Sequence, residues 1–464
     1  MENSLSYYDL LRWREDQITK FYANHPAQPS SPYIVLAFFC LPVLGLMVPG
    51  ARSLRLTIFA ITAYLGGHII CNLRTIYCGN GYFIGLLAST WIIHIAVHLL
   101  LASPETDFQR LESTQQSIDH RPVLRLKNGD SIHWQSYPDS LLHRLSWVLD
   151  LLFSMRGAMW NWRIDSLRPL PAPLQDSVLH PPRHQAQDLR TATDLTFPSL
   201  LLLFLKQIVI VDFLSLFART DPYFWGILQT PPLPESPLYM LCQWPLLIRT
   251  CRMLLAYAGI LHTLNLVIIS GQLLKRVIAW ASLSPVPYHK SWLNTPLYGN
   301  ISAALDSGLA GFWGGYWHQI YRFDALTCST AVLSCCPGWI RQRVIARRII
   351  RMLVTFFLVG IAHSSACYTS VGPTRPIRGV LMFFMVQSLG IILQMILLSI
   401  LPPWLHDLRL GRVANFVIVF IWFLACTPLL FDEYVSGGLF VIDQLPLTVN
   451  LLGAIFSKAM HSTI

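Results

Sequence analysis

Two imidazoles mark the chemistry that this chain could carry. His363 closes an apolar run, Phe356-Phe357-Leu358-Val359-Gly360-Ile361-Ala362-His363. An ionisable side chain inside such a run is costly and marks a functional site by default. A neutral imidazole beside a hydroxyl can take up its proton while the oxygen attacks an activated acyl group. His318 lies in a polar-aromatic stretch, Gly311-Phe312-Trp313-Gly314-Gly315-Tyr316-Trp317-His318-Gln319-Ile320-Tyr321-Arg322-Phe323-Asp324. If that stretch is helical, Trp313 and Trp317 share one face and His318 and Arg322 another. Trp313, Trp317, Gln319, Arg322 and Asp324 are then candidate substrate contacts. The plainer reading of the Trp and Tyr residues is a belt at the membrane–water boundary. That reading leaves His318-Gln319, lodged beside Trp317, without a role.

Other polar residues sit in apolar runs. Gln387 and Gln394 are seven apart, two helical turns, so both amides face one way, and Gln387 is a further candidate substrate contact. His94 and His98 are four apart and share a helical face, a spacing that can bind zinc. No Glu lies between them and the sequence offers no third ligand, so they read as a structural pair and no metal is expected. His262 and Asn265 are read as hydrogen-bonding to a neighbouring helix, with lining a cavity as the alternative. Lys206 and Asp212, six apart, point away from each other and need separate partners. The ten cysteines form no CxxC pair, and Cys328 with Cys335-Cys336 is a weak cluster.

The elements that must hold these residues are membrane helices. The 464-residue chain is 53% hydrophobic and only 12% charged, with mean hydropathy +0.47. Soluble domains carry about 25% charged residues. Apolar runs near 33–49, 54–72, 82–102, 196–218, 252–274, 352–371, 379–402 and 413–433 predict an all-α, polytopic helical membrane protein of about eight transmembrane helices. The aromatic stretch at 311–324 is expected as a re-entrant or interfacial segment. Three regions follow: 1–102 with three helices, a polar and amphipathic cytoplasmic region 103–195, and a membrane core 196–464. Within 103–195, Leu141 to Phe153 is amphipathic and could lie flat on the membrane, and Trp160 and Trp162 read as interfacial anchors. Residues 1–32 read as an amphipathic segment without the apolar core of a signal peptide. Whether 439–456 spans is open, because Asp443, Gln444 and Pro446 interrupt it.

The net charge of +10 is read as membrane topology, and no nucleic-acid partner is expected. No second copy of the aromatic stretch appears in the other half, so an inverted-repeat transporter finds no support.

Four segments, in order, resemble a known family. Phe312-Trp313-Gly314-x-x-Trp317-His318-Gln319 is similar to the FWGRxWHQ signature of the wax-synthase-like branch of the membrane-bound O-acyltransferases. Arg156-Gly157-x-x-Trp160-Asn161-Trp162 resembles the RGxxWNW segment of its fungal members. Val359-Gly360-Ile361-Ala362-His363 sits where the family has SGxxH, and Gly411-Arg412 with Phe416 to Trp422 resembles its penultimate segment. Gly315 replaces the family Arg, removing an anion contact, and Val359 replaces a frequent Ser. The resemblance implies acyl transfer from a coenzyme A thioester to an alcohol, with His363 as general base and His318 assisting or orienting. It implies acetyl-CoA or another acyl-CoA as co-substrate, with no bound cofactor. The expected acceptor is a lipophilic alcohol, a hydroxylated terpenoid or meroterpenoid, with wax synthesis from long-chain acyl-CoA and a fatty alcohol as the alternative. Endoplasmic reticulum is the expected location.

Orientation follows from arginine. Arg341, Arg343, Arg347, Arg348 and Arg351 should face the cytosol, placing 103–195 and 275–351 on that side. Arg341, Arg343, Arg347 and Arg348 are also candidate contacts to the phosphates of the donor. His363, twelve residues past Arg351, would sit about 18 Å along its helix, midway through a core about 30 Å thick. Asn300-Ile301-Ser302 is then a cytosolic sequon and should carry no glycan. Labelling of a cysteine introduced at position 345 with an impermeant reagent checks this. Reaction only from the lumenal side, or a glycan on Asn300, would invert the topology.

Overall fold

The computed structural model describes residues 5–25, 31–114, 123–125, 131–175, 178–179, 196–281, 285–288, 290, 293, 296–400 and 408–441. The chain opens with α1 (Tyr7–Asn24), capped reciprocally by Ser6 and Asp9. Then follow α2 (Pro32–Met47), α3 (Arg52–Asn72), one-turn α4 (Tyr77–Asn80) and α5 (Tyr82–Ala96), which runs into a π-turn at Val97–Leu101. After α6 (Pro104–Asp107) comes a small antiparallel sheet, β1 (Arg110–Thr114), β2 (Val123–Arg125) and β3 (Ser131–Gln135), in the order β1-β3-β2. The chain continues through α7 (Leu141–Leu152), α8 (Phe197–Thr220), α9 (Pro245–Trp280), α10 (Ser302–Gly311) and a second π-turn at Phe312–Tyr316. The final helices are α11 (Arg322–Ser334), α12 (Gly338–Gln342), α13 (Val344–Thr369), α14 (Met382–Ile400), α15 (Leu408–Cys426) and α16 (Pro428–Ser436).

The expected all-α membrane architecture is what the structure shows, with each predicted span falling on a helix. Five helices among the described residues are long and apolar enough to cross a bilayer, or six if the bent pair Gly411–Cys426 and Pro428–Ser436 is one span. The sequence count of eight also included α2, which has 16 residues, and α13, whose first turns carry Arg347 and Arg348. Helix α9, with 36 residues, extends well beyond the predicted 252–274. Most of 439–456 lies outside the described residues.

The polar region departs from expectation. Its sheet was not predicted, because the strands are short and mix polar with apolar residues. The paired tryptophans are not interfacial anchors: Trp160 and Trp162 are fully buried. Trp160 meets Trp147 of α7 edge-on at 4.8 Å, and Trp162 stacks on Phe323 of α11 at 4.1 Å. Asn161 stitches the same segment to the backbone, accepting from the N–H of Gln109 at 3.0 Å and donating to the carbonyl of Asp107 at 2.9 Å. Helix α7 buries Trp147, Val148, Leu151 and Leu152, while Leu141, Leu142 and Phe153 stay exposed.

The membrane core turns on the contact between α5 and α13. A side chain at Gly85 would collide with the Ser365 carbonyl. Glycine therefore lets the backbones meet, as small residues do between membrane helices. The Gly85 N–H donates to Thr369 Oγ1 at 3.0 Å, and Ser89 Oγ donates to the Ala362 carbonyl at 3.2 Å. This crossing fixes where His363, on α13, stands relative to the start of α5.

Candidate active site

His363 is held by two residues remote in sequence. Its Nδ1 lies 2.7 Å from the Tyr82 hydroxyl and 3.2 Å from that of Tyr434. Tyr82 donates to Tyr434 at 2.9 Å. With the Tyr82 proton so engaged, its oxygen can accept from the Nδ1–H tautomer of His363, which leaves the lone pair on Nε2. Phe384 stacks on the ring at 5.0 Å and 15°. That stacking needs the absence of a side chain at Gly360, one turn earlier, where a Cβ would press on Leu381. Tyr82 opens α5 directly after Gly81, whose φ of +86° suits glycine.

The aromatic stretch reaches the site through two breaks in helical geometry. Gly308 interrupts α10 at φ +57°, ψ −135°. The Gln394 amide occupies the gap, accepting from the Leu309 N–H at 2.8 Å and donating to the Ser307 carbonyl at 3.1 Å. The π-turn at Phe312–Tyr316 then ends in extended backbone at Trp317, a feature frequent at functional sites. Gln319 closes the loop by donating to the carbonyls of Trp313 at 2.8 Å and Trp317 at 2.7 Å. Arg322 donates to the Gln319 side chain at 2.8 Å and pairs with Asp165 at 2.9 Å, tying the motif to the polar region. Nearby, Arg156 donates to the Pro296 carbonyl at 2.9 and 3.0 Å, and burial lowers its pKa to about 10, so it stays charged at neutral pH.

These pieces enclose one apolar cavity of about 1080 Å³, lined by both His318 and His363. Tyr321 lies close to both imidazoles, 6.4 Å from His318 and 6.2 Å from His363 between ring centres. Its hydroxyl is anchored on Thr90 at 3.0 Å. His318 Nδ1 is buried with no hydrogen-bond partner among the described residues. Trp313, Trp317, Gln319 and Arg322 also line the cavity, as does Arg351 of α13. The walls are aromatic and aliphatic, with Phe356, Phe383, Phe384 and Phe423 around Trp313.

Two candidate substrate contacts stand elsewhere. Gln387 is fully buried. Its carbonyl oxygen accepts from the indoles of Trp313 at 3.3 Å and Trp422 at 3.2 Å, so it holds the wall of the cavity. Asp324 is buried beside His94 of α5, with 2.9 Å between Oδ2 and Nδ1. The reason is helical phase: residues two apart on α11 point about 200° from each other. Arg322 therefore faces Asp165 while Asp324 faces the opposite way. Of the candidate donor contacts, Arg341, Arg343 and Arg348 are exposed around the start of α13, and Arg347 donates to the Arg341 carbonyl at 3.0 Å. His262 does what its spacing predicted, bonding Gln207 of α8 at 2.7 Å. Tyr82 and Tyr434 gave no sequence signal, being 281 and 71 residues from His363.

Comparison with known proteins agrees with this geometry. Residues 294–386, which contain the aromatic stretch and His363, match the Membrane bound O-acyl transferase family. The chain is 25% identical over 379 residues to O-Mevalon transferase yanI of Aspergillus niger, covering 79% of this chain and 75% of that protein. It is 26% identical over 378 residues to Acetyltransferase ple2 of Rhodocybe pseudopiperita, covering 79% of this chain and 80% of the relative. To Acetyltransferase aurG of Calcarisporium arbuscula it is 28% identical over 157 residues, 33% of this chain and 36% of the relative. No solved structure matches the chain significantly. The family match falls on the segment that builds the cavity and carries both imidazoles, so the chain is an acyltransferase whose site segment is similar to the membrane-bound O-acyl transferase family.

Proposed function

We propose that the chain transfers an acetyl group from acetyl-CoA to a hydroxyl of a lipophilic alcohol, a terpenoid or meroterpenoid. The observation that carries this reading is His363, anchored through Nδ1 on Tyr82 with its other nitrogen free for an apolar cavity of about 1080 Å³. Ligand pockets for molecules of drug size run to about 1,000 Å³, so a polycyclic alcohol and a short acyl group fit together. His363 Nε2 takes the hydroxyl proton as the oxygen bonds to the thioester carbonyl carbon. The carbon–sulfur bond then breaks, and the departing thiolate receives the proton from the imidazolium. Tyr82, stabilising Nδ1–H, is a positioning residue. His318 lines the same space and assists. The relatives' names include two acetyltransferases, which supports a small acyl group, and the O-mevalon transferase marks a larger one as the alternative.

Two routes lead in. Leu254, Val267 and Phe416 line the cavity yet are 48%, 59% and 56% exposed, so it reaches the apolar flank of the helices where a lipophilic acceptor would arrive. Arg351 lies on the same helix as His363, three turns nearer the basic end, and serves the donor phosphates, with Arg341, Arg343, Arg347 and Arg348 beyond it. A cytosolic donor and a membrane-dissolved acceptor fit an enzyme of the endoplasmic reticulum membrane.

Membranes containing the protein, given radiolabelled acetyl-CoA or palmitoyl-CoA with panels of terpenoid and fatty alcohols, should label a terpenoid acetate. Labelling of fatty esters from palmitoyl-CoA alone would select wax synthesis.

Replacing His363 with Ala should lower turnover by about 10²–10⁴ with insertion intact. Tyr82→Phe removes one hydrogen bond, worth about 0.5–1.5 kcal/mol, and should lower kcat by about 2- to 10-fold while changing its pH profile. Near-normal turnover in His363→Ala would refute the base, and a Tyr82→Phe loss with an unaltered pH profile would leave Tyr82 a packing role.

Arg351→Gln, and paired Gln replacements at 347 and 348, should raise the KM for acyl-CoA and leave that for the alcohol unchanged. Steady-state kinetics in oriented vesicles measure both, and an unmoved acyl-CoA KM would reduce these arginines to topology.

A further inference from the structure

Behind the cavity, α5 and α11 bring together three buried side chains that the reaction does not use. His94 and His98 are 1% and 0% exposed, and Asp324 is 2% exposed. Each offers one ligand atom, and these atoms lie within 4.8 Å of one another. The sequence showed the first two as a pair lacking a third ligand; the fold supplies it from 230 residues away.

The hydrogen bonds fix both tautomers. His94 Nδ1 lies 2.9 Å from Asp324 Oδ2, and a carboxylate only accepts, so the proton is on Nδ1. His98 Nδ1 lies 2.8 Å from the His94 carbonyl, which also only accepts. Both rings therefore turn a bare Nε2 lone pair into the interior, and neither Nε2 has a partner among the described residues. The rings are 4.2 Å apart between centres. Two buried acceptors side by side, with no donor, are an arrangement that native interiors avoid. An imidazole whose Nδ1–H is fixed by a backbone carbonyl, as that of His98 is, is held as metal-ligating histidines are.

We propose that His94, His98 and Asp324 bind a divalent transition-metal ion of the zinc class. Two imidazoles and a carboxylate match the donor preferences of zinc and its neighbours. Ligand atoms around tetrahedral zinc lie about 3.4 Å apart, so the ion would replace the proton between His94 Nδ1 and Asp324, which are 2.9 Å apart, with His98 Nε2 as the third donor. The three residues are not among those lining the cavity, which makes the ion structural. It would pin the π-turn that ends α5 to the helix following the aromatic loop. Tyr321, one turn before Asp324, would be steadied with it.

Full-length protein purified in detergent, stripped with a chelator and reloaded with zinc, should hold about one ion per chain by elemental analysis. Cobalt in its place should give visible absorption bands that zinc abolishes. Asp324→Asn and His98→Gln should each lose the bands, and zinc should raise the melting temperature of the wild type but not of either variant. Wild-type protein without stoichiometric zinc, without cobalt bands and without a zinc-dependent melting shift would overturn the proposal and leave a shared proton or a buried water between the imidazoles. The cobalt measurement uses wild-type protein alone, so it stands even if a variant fails to fold.

Discussion

In a chain that lives in lipid, each buried polar group must find its partner within the protein. That constraint organises the structure. Gln387 is spent on two indoles, Gln394 on the gap at Gly308, and His262 on Gln207. Gln319 is spent on two carbonyls that would otherwise be stranded where the π-turn stops. Each amide replaces water that the bilayer core does not offer, and each thereby sets the path of a backbone segment. The shape of the cavity is the sum of these settlements.

Against that background, the groups left unsettled stand out. His318 Nδ1 is buried and without a partner among the described residues, and so are the Nε2 atoms of His94 and His98. His363 differs: its Nδ1 is fully engaged, and the engagement is what orients the other nitrogen. One imidazole on α13 and one on the aromatic loop thus meet the same apolar space from different sides, while the pair at the end of α5 and in its π-turn belongs to a separate cluster.

How much of this was legible before folding depends on the range of the signal. The helices were, because a bilayer demands long apolar runs. His363 was, because a charge-capable residue in such a run is conspicuous, and His318 was through its place beside Trp317 in the aromatic stretch. The shared face of Gln387 and Gln394 was, because helical periodicity carries it, but the amides' occupation by Trp313, Trp422 and α10 was not. Tyr82 and Tyr434 look in sequence like any interfacial tyrosines, and only the α5–α13 crossing brings Tyr82 to His363. Asp324 was drawn to the cavity by its neighbours in the aromatic stretch, whereas the phase of α11 decides where it points. Trp160 and Trp162 failed for a related reason: paired tryptophans flanked by arginine are common at interfaces, and these two are buried by rings of α7 and α11 that are distant in sequence.

The lateral reach of the cavity has a kinetic consequence. On the proposed reaction, the acceptor enters with a hydroxyl and leaves as an ester, having lost its hydrogen-bond donor. An apolar chamber therefore holds product more tightly than substrate, which would make the enzyme its own trap if water were the only way out. Leu254, Val267 and Phe416, lining the cavity yet exposed on the apolar flank of the helices, would give it a different boundary, with the same solvation preference as the chamber. Departure then exchanges one apolar medium for another, with almost no partition penalty. Turnover in such a design is paced by the lipid around the protein, and the bilayer acts as the sink that keeps the transfer running forward.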